Sequence, residues 1–169
     1  MEAKKDLQVD DLKIREEGDH APEFEFQDNQ GKIFHLSSLI GKKKIVVYFY
    51  PKDFTPGCTI EAEEFSRDYD HFKKDNIEII GISPDTDESH VKFREKMKIP
   101  YMLASDIQNE ISKKYGVYGL KNFMGKEYYG VNRSTFLIGM NGKIVKIYDK
   151  VKPRGHSKEV LEYFKSINN

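Results

Sequence analysis

The chain has 169 residues, with 28 Lys plus Arg against 28 Asp plus Glu, and therefore no net charge at neutral pH. That balance removes the electrostatic case for a nucleic-acid or anionic-membrane partner, and the interleaving of both signs marks a solvated globular surface. One cysteine, Cys58, leaves no intrachain disulfide and no cysteine-cluster metal site, so redox chemistry here needs either no partner thiol or one from another molecule.

Residues 1–17 are charged and weakly periodic and read as an N-terminal extension. No signal-peptide core occurs between Met1 and Asp11, and the longest apolar run, Ile45 to Tyr50, is far too short to span a bilayer. A soluble, cytoplasmic protein is expected. Residues 18–169 suit one domain of ordinary size.

Phe24 and Phe26 alternate with polar residues, turn residues follow at 28–31, and Ile33, Phe34 and Leu36 resume the apolar pattern, predicting an N-terminal β-hairpin. Ile45 to Tyr50 is apolar throughout and predicts a strand covered on both faces. Pro51 to Gly57, with two prolines and a glycine, reads as a loop. After it, Cys58, Ala62, Phe65, Tyr69 and Phe72 recur at helical spacing with charges on the other faces.

Ile77 to Ile82 predicts a second buried strand, and Val91, Phe93 and Met97 the helix that follows. Met102 to Ala104 reads as a short strand, Ile107 to Tyr115 as a short helix closed by Gly116, and Ser134 to Gly139 as another buried strand. Asn141-Gly142 marks a tight turn before a strand from Lys143 to Tyr148. Ser157 is placed as the cap of a last helix carrying Val160, Leu161 and Phe164. This alternation predicts an α/β fold with a mixed central sheet flanked by helices.

Cys58 lies where a buried strand, a Pro/Gly loop and an amphipathic helix meet, in the first helical turn, where unpaired backbone N–H groups converge. The reactive form is the thiolate. An ordinary thiol with a pKa of about 8.5 is roughly 3% ionised at pH 7. Raising that to about 90% takes a pKa of about 6, a change worth roughly 3.4 kcal/mol. A helix N-terminus supplies about 0.3 to 2 kcal/mol, so an activated cysteine here needs a cation or further directed hydrogen bonds. On spacing alone, a buried and inert cysteine remains the simpler reading.

The local text changes that balance. The segment Phe49-Tyr50-Pro51-Lys52-Asp53-Phe54-Thr55-Pro56-Gly57-Cys58-Thr59-Ile60-Glu61 closely resembles the active-site loop of peroxiredoxins, in particular the bacterioferritin comigratory protein (PrxQ) branch. The resemblance continues through Gly81-Ile82-Ser83, Tyr115-Gly116-Val117, Met124-Gly125-Lys126 and Arg133 to Ile138. It implies a thioredoxin-like fold and a thiol-dependent peroxidase acting on hydrogen peroxide and organic hydroperoxides. Cys58 would be the nucleophile, Thr55 a hydrogen-bonding partner of thiolate and peroxide, Pro51 a shield of the pocket and Arg133 the required cation. No metal or organic cofactor is implied.

Many members of that branch carry a resolving cysteine five residues after the first, where this chain has Glu63. A 1-Cys cycle follows, with an external thiol reductant such as thioredoxin, glutaredoxin or a small thiol, in a monomer or weak homodimer. Glu61 reads as a complement to the helix dipole, with a loop-orienting role as the alternative. His20, His35, His71, His90 and His156 read as surface or capping residues. The competing functions are a thiol-disulfide oxidoreductase, disfavoured by the lone cysteine, and a redox sensor or holdase using Cys58.

Overall fold

The computed structural model describes residues 16–28 and 30–167. Most of the expected N-terminal extension, residues 1–15, lies outside the described residues. Five strands form the central sheet in the order β5-β4-β3-β8-β9. They are β3 (Lys44–Phe49), β4 (Ile77–Ser83), β5 (Met102–Ser105), β8 (Ser134–Ile138) and β9 (Ile144–Tyr148). β3 runs parallel to β4, and β4 to β5, whereas β8 is antiparallel to both β3 and β9. This is the mixed sheet that the sequence pattern predicts.

The unbroken apolar run of β3 is explained by its place between β4 and β8, with packing on both faces. Val46, Tyr48 and Tyr50 enter one core layer, while Ile45, Val47 and Phe49 enter the other, as the two-residue period of a strand requires. The first layer is closed by α1 (Pro56–Lys74), α2 (Asp87–Met97) and α4 (His156–Ile167), through Phe65, Phe72, Phe93, Val160 and Phe164. Behind the second lie the N-terminal hairpin, β1 (Glu25–Gln27) with β2 (Ile33–His35), and α3 (Glu110–Lys114).

Gly81 marks a close approach inside the first layer. A β-carbon there would meet the Tyr48 ring and hydroxyl and a Leu103 methyl, each at 2.9 Å. The absent side chain makes room for Tyr48, whose hydroxyl meets that of Tyr101 at 2.5 Å.

Several expectations need correction. α1 begins at Pro56, two residues before the expected start, because proline suits the first helical position. Val91 is exposed on α2, and His90 shares the buried face with Phe93. The short helix runs over Glu110–Lys114 only, and Ile107 is exposed. Ser157 lies inside the first turn of α4, buried, with its hydroxyl donating to Asp68 Oδ2 at 2.8 Å, so it docks α4 on α1 rather than capping it. A second hairpin, β6 (Tyr118–Phe123) with β7 (Lys126–Val131), was not foreseen; Leu120, Phe123, Met124 and Tyr129 on it are exposed. No described helix is long and apolar enough to cross a membrane.

Candidate active site

Cys58 sits in the first turn of α1, directly after the loop that leaves β3, and only 1% of its surface is exposed. Thr55 is the N-cap residue, extended at φ −78°, ψ 154°, and its carbonyl accepts the Thr59 N–H at 2.9 Å. Pro56 has no N–H, so Gly57 and Cys58 supply the first amides that lack a carbonyl four residues back. No acidic residue occupies this first turn, which leaves the partial positive charge of the helix end to the sulfur.

Arg133 joins this corner from the short link between β7 and β8. Its Nη2 donates to Cys58 Sγ at 3.2 Å and its Nη1 to Glu61 Oε1 at 2.7 Å. Burial works against the guanidinium charge, but the facing Glu61 and Cys58 outweigh it and hold Arg133 more firmly protonated than usual. Gly57 permits the approach, since a β-carbon there would lie 3.0 Å from Arg133 Nη2 and 3.5 Å from Pro153 Cγ.

Glu61 is almost wholly buried and ion-paired with Arg133, which favours the orienting alternative over a complement to the helix dipole. Desolvation pushes its pKa up to about 7, with Arg133 opposing the shift. Its second oxygen, Oε2, is buried with no hydrogen-bond partner. Glu61 therefore orients Arg133, and a single guanidinium bridges carboxylate and sulfur.

Thr55 Oγ1 donates to the Lys52 carbonyl at 2.8 Å, leaving its lone pairs to face other groups. Pro51 follows buried Tyr50 and is itself half-buried. Beneath the loop, Asp53 accepts from Tyr50 Oη at 2.7 Å and Ser89 Oγ at 2.8 Å, and its Oδ2 lies 2.7 Å from His90 Nδ1. The expectation that His90 and His156 are surface or capping residues fails, for both are buried and their ring nitrogens meet Asp53, Ala104, Glu159 and Thr135. His156 contacts Thr135 Oγ1 at 2.8 Å and Glu159 Oε1 at 2.7 Å, and burial pushes its pKa down.

Lys121 on β6 was also missed. Its ammonium donates to the Val131 carbonyl at 2.9 Å, burial and Arg133 push its pKa down, and the Cys58 sulfur opposes them. Its position follows from the unforeseen hairpin, so no local sequence signal marked it.

Among the described residues, Asp53, Asp85 and His90 bring metal-binding atom types within 4.8 Å of one another. Asp85 Oδ2 already accepts from Asp53 N and Ser83 Oγ, at 2.8 and 2.6 Å. With Asp53 engaged by Tyr50, Ser89 and His90, the cluster is a completed hydrogen-bond network rather than an open coordination shell.

This arrangement of helix N-terminus, buried thiol and bridging arginine can hold a thiolate ready for attack on a small electrophile. Comparison with known proteins agrees with that chemistry. Residues 17–147 match the model of the AhpC/TSA family. Peroxiredoxin Bcp of Bacillus subtilis (strain 168) is 42% identical over 151 residues, covering 89% of this chain and 96% of that protein. Peroxiredoxin Bcp of Escherichia coli (strain K12) is 39% identical over 148 residues, covering 88% and 94%. The crystal structure of a PrxQ mutant from Xylella fastidiosa superposes with a TM-score of 0.85 at 32% identity, covering 91% of this chain and 98% of that one. The thioredoxin-fold sheet, the cysteine at its helix start and these relatives together place the chain in the AhpC/TSA family, in its Bcp (PrxQ) peroxiredoxin branch.

Proposed function

We propose that Cys58 is the peroxidatic nucleophile of this thiol-dependent peroxidase, with Arg133, Thr55 and Pro51 forming its pocket and Glu61 orienting Arg133. The observation that carries this reading is the 3.2 Å contact from Arg133 Nη2 to Cys58 Sγ at the N-terminus of α1. In the first half-reaction the thiolate attacks one oxygen of ROOH, the S–O bond forms as the O–O bond breaks, and the departing RO⁻ takes up a proton. The products are an alcohol, or water from hydrogen peroxide, and the Cys58 sulfenic acid. Arg133 and the amides of Gly57 and Cys58 stabilise the negative charge as it moves from sulfur to the leaving oxygen. Because the Thr55 hydroxyl already donates to Lys52, Thr55 accepts a hydrogen bond from the hydroperoxide O–H.

With a single cysteine in the sequence, the second half-reaction belongs to an external thiol. That thiol condenses with the sulfenic acid to a mixed disulfide and water, and a second thiol releases Cys58. Thioredoxin, glutaredoxin or a small thiol fits this role, in a cytoplasmic monomer or weak homodimer. Stopped-flow measurement of hydrogen peroxide with the reduced protein tests the reading. A rate far above that of free cysteine, abolished in Cys58→Ser and strongly reduced in Arg133→Ala, supports it; a rate no faster than free cysteine overturns it.

A further inference from the structure

We propose that Asp53 and His90 are positioning residues of the catalytic loop: a buried carboxylate–imidazole strut that fixes Thr55 and the first turn of α1 from beneath. The inference rests on the reading of Cys58 as the nucleophile and adds to it a source of loop geometry outside the pocket.

Asp53 and His90 are both almost completely buried. Asp53 belongs to the loop between β3 and α1, whereas His90 belongs to α2. Their 2.7 Å contact therefore ties the loop to a different part of the scaffold. The tie is doubled on each side. Asp53 also takes the Ser89 hydroxyl from α2 and the Tyr50 hydroxyl from the end of the strand, and its N–H reaches Asp85 in the turn before α2.

The segment so held departs from ordinary loop conformation. Phe54, directly after Asp53, has φ +66°, in the left-handed region that a residue bearing a β-carbon enters only at a cost of about 1 to 2 kcal/mol. Its ring is half in solvent and meets Phe93 edge-on at 5.1 Å. A strained residue between a buried anchor and the N-cap Thr55 is held there by the anchor. Release of Asp53 would let Phe54 relax and move Thr55, and with it the start of α1.

Both ring nitrogens of His90 are engaged, Nδ1 with Asp53 Oδ2 at 2.7 Å and Nε2 with the Ala104 carbonyl at 3.1 Å, so the imidazole is fixed in the scaffold at both ends. The other ionisable groups around the pair are Tyr50, Asp85 on the turn, and Arg94 on α2, whose charge interacts with Asp53, Tyr50 and Asp87. Asp106, on the far side of Ser83, is turned toward the Ile111 and Ser112 amides.

The test uses His90→Asn, which keeps a neutral N–H near the Nδ1 position, together with Asp53→Asn and Ser89→Ala; the last removes one hydrogen bond without stranding a charge. Stopped-flow rates with hydrogen peroxide are measured well below each unfolding midpoint, beside the ultraviolet absorbance of the Cys58 thiolate. Asp53→Asn is expected to lower the peroxide rate on the order of 10- to 100-fold with the thiolate fraction unchanged, as misplacement of a catalytic loop does. His90→Asn, which loosens the same tie from the α2 side, is expected to lower the rate within that range, and Ser89→Ala to lower it less. Folded variants with the wild-type rate overturn the proposal, as does a rate loss fully explained by a lower thiolate fraction. Should the two strut variants not fold, Ser89→Ala decides: a lower peroxide rate with the thiolate fraction unchanged supports the strut, and the wild-type rate overturns it. Cys58→Ser run in parallel separates the two readings, because full peroxidase activity in that variant would remove the nucleophile assignment and leave the strut geometry standing.

Discussion

Arg133 and Glu61 lie 2.7 Å apart, Nη1 to Oε1, and the same guanidinium extends its other terminal nitrogen to the Cys58 sulfur. A planar two-pronged cation is suited to that double task, whereas a lysine ammonium is a point charge at the end of a flexible stem. Arg133→Ala is expected to lower the second-order peroxide rate by about 10²- to 10³-fold, the usual loss when a donor to developing negative charge is removed. Arg133→Lys is expected to recover only a small part of it. Stopped-flow kinetics on both variants checks the pair.

Glu61 gives the site a pH dependence of defined sign. Its pKa rises from 4.5 to about 7 on folding, so the folded state favours the protonated acid. The resulting stabilisation is fully present below pH 4.5 and is lost as the pH climbs through about 7, a change on the order of a few kcal/mol. Glu61→Gln, which cannot ionise, is expected to flatten this part of the stability profile. Thermal melts of both proteins across that pH range make the comparison, and parallel profiles would exclude Glu61 as the source.

Gly57 is tight for a steric reason rather than a conformational one. Gly57→Ala would place a methyl 3.0 Å from Arg133 Nη2, within the hydrogen-bonded bridge. The expected outcome is a peroxide rate about tenfold lower, from a displaced guanidinium, with the melting temperature little changed. Kinetics and a melt on the same sample distinguish a shifted arginine from a disrupted helix start.

Gly81 gives the opposite pattern. Its β-carbon would press at 2.9 Å on the ring and hydroxyl of Tyr48 and on Leu103, deep in the layer beneath α1. Gly81→Ala is expected to destabilise the fold by about 1 to 3 kcal/mol, the range for overpacking a core. Chemical denaturation measures this, with the slope against denaturant serving as a check that both proteins unfold alike.

The parts of this molecule that were legible in the sequence are those whose pattern is local. β3 is apolar at nearly every position because sheet neighbours and both core layers cover it, and the stripe from Cys58 to Phe72 shows helical spacing because one face of α1 is buried. The loop around Cys58 was readable through resemblance, and Arg133 was named as its cation on the same ground. Less legible were residues whose environment comes from far along the chain. Glu61 looks like an ordinary acid near a helix start until Arg133, 72 residues later, is placed against it. His90 resembles a surface histidine on a charged helix, and its partner Asp53 is 37 residues away. The β6–β7 hairpin escaped because Leu120, Phe123, Met124 and Tyr129 are exposed, so its strands carry no alternation of buried and exposed residues that marks a strand.

The near-complete enclosure of Cys58 has a consequence for the order of events in turnover. A hydroperoxide is small enough to slip into a narrow opening, but the sulfur of a protein reductant must meet the Cys58 sulfur almost head-on, carrying a whole surface with it. With only 1% of Cys58 exposed, the shelter that guards a new sulfenic acid from stray oxidants also delays its rescue. A protein thiol can reach that sulfur only once Cys58 is uncovered. Turnover is expected to rise with reductant concentration and then level off at a ceiling that belongs to the peroxidase, the same for every protein reductant that can serve it.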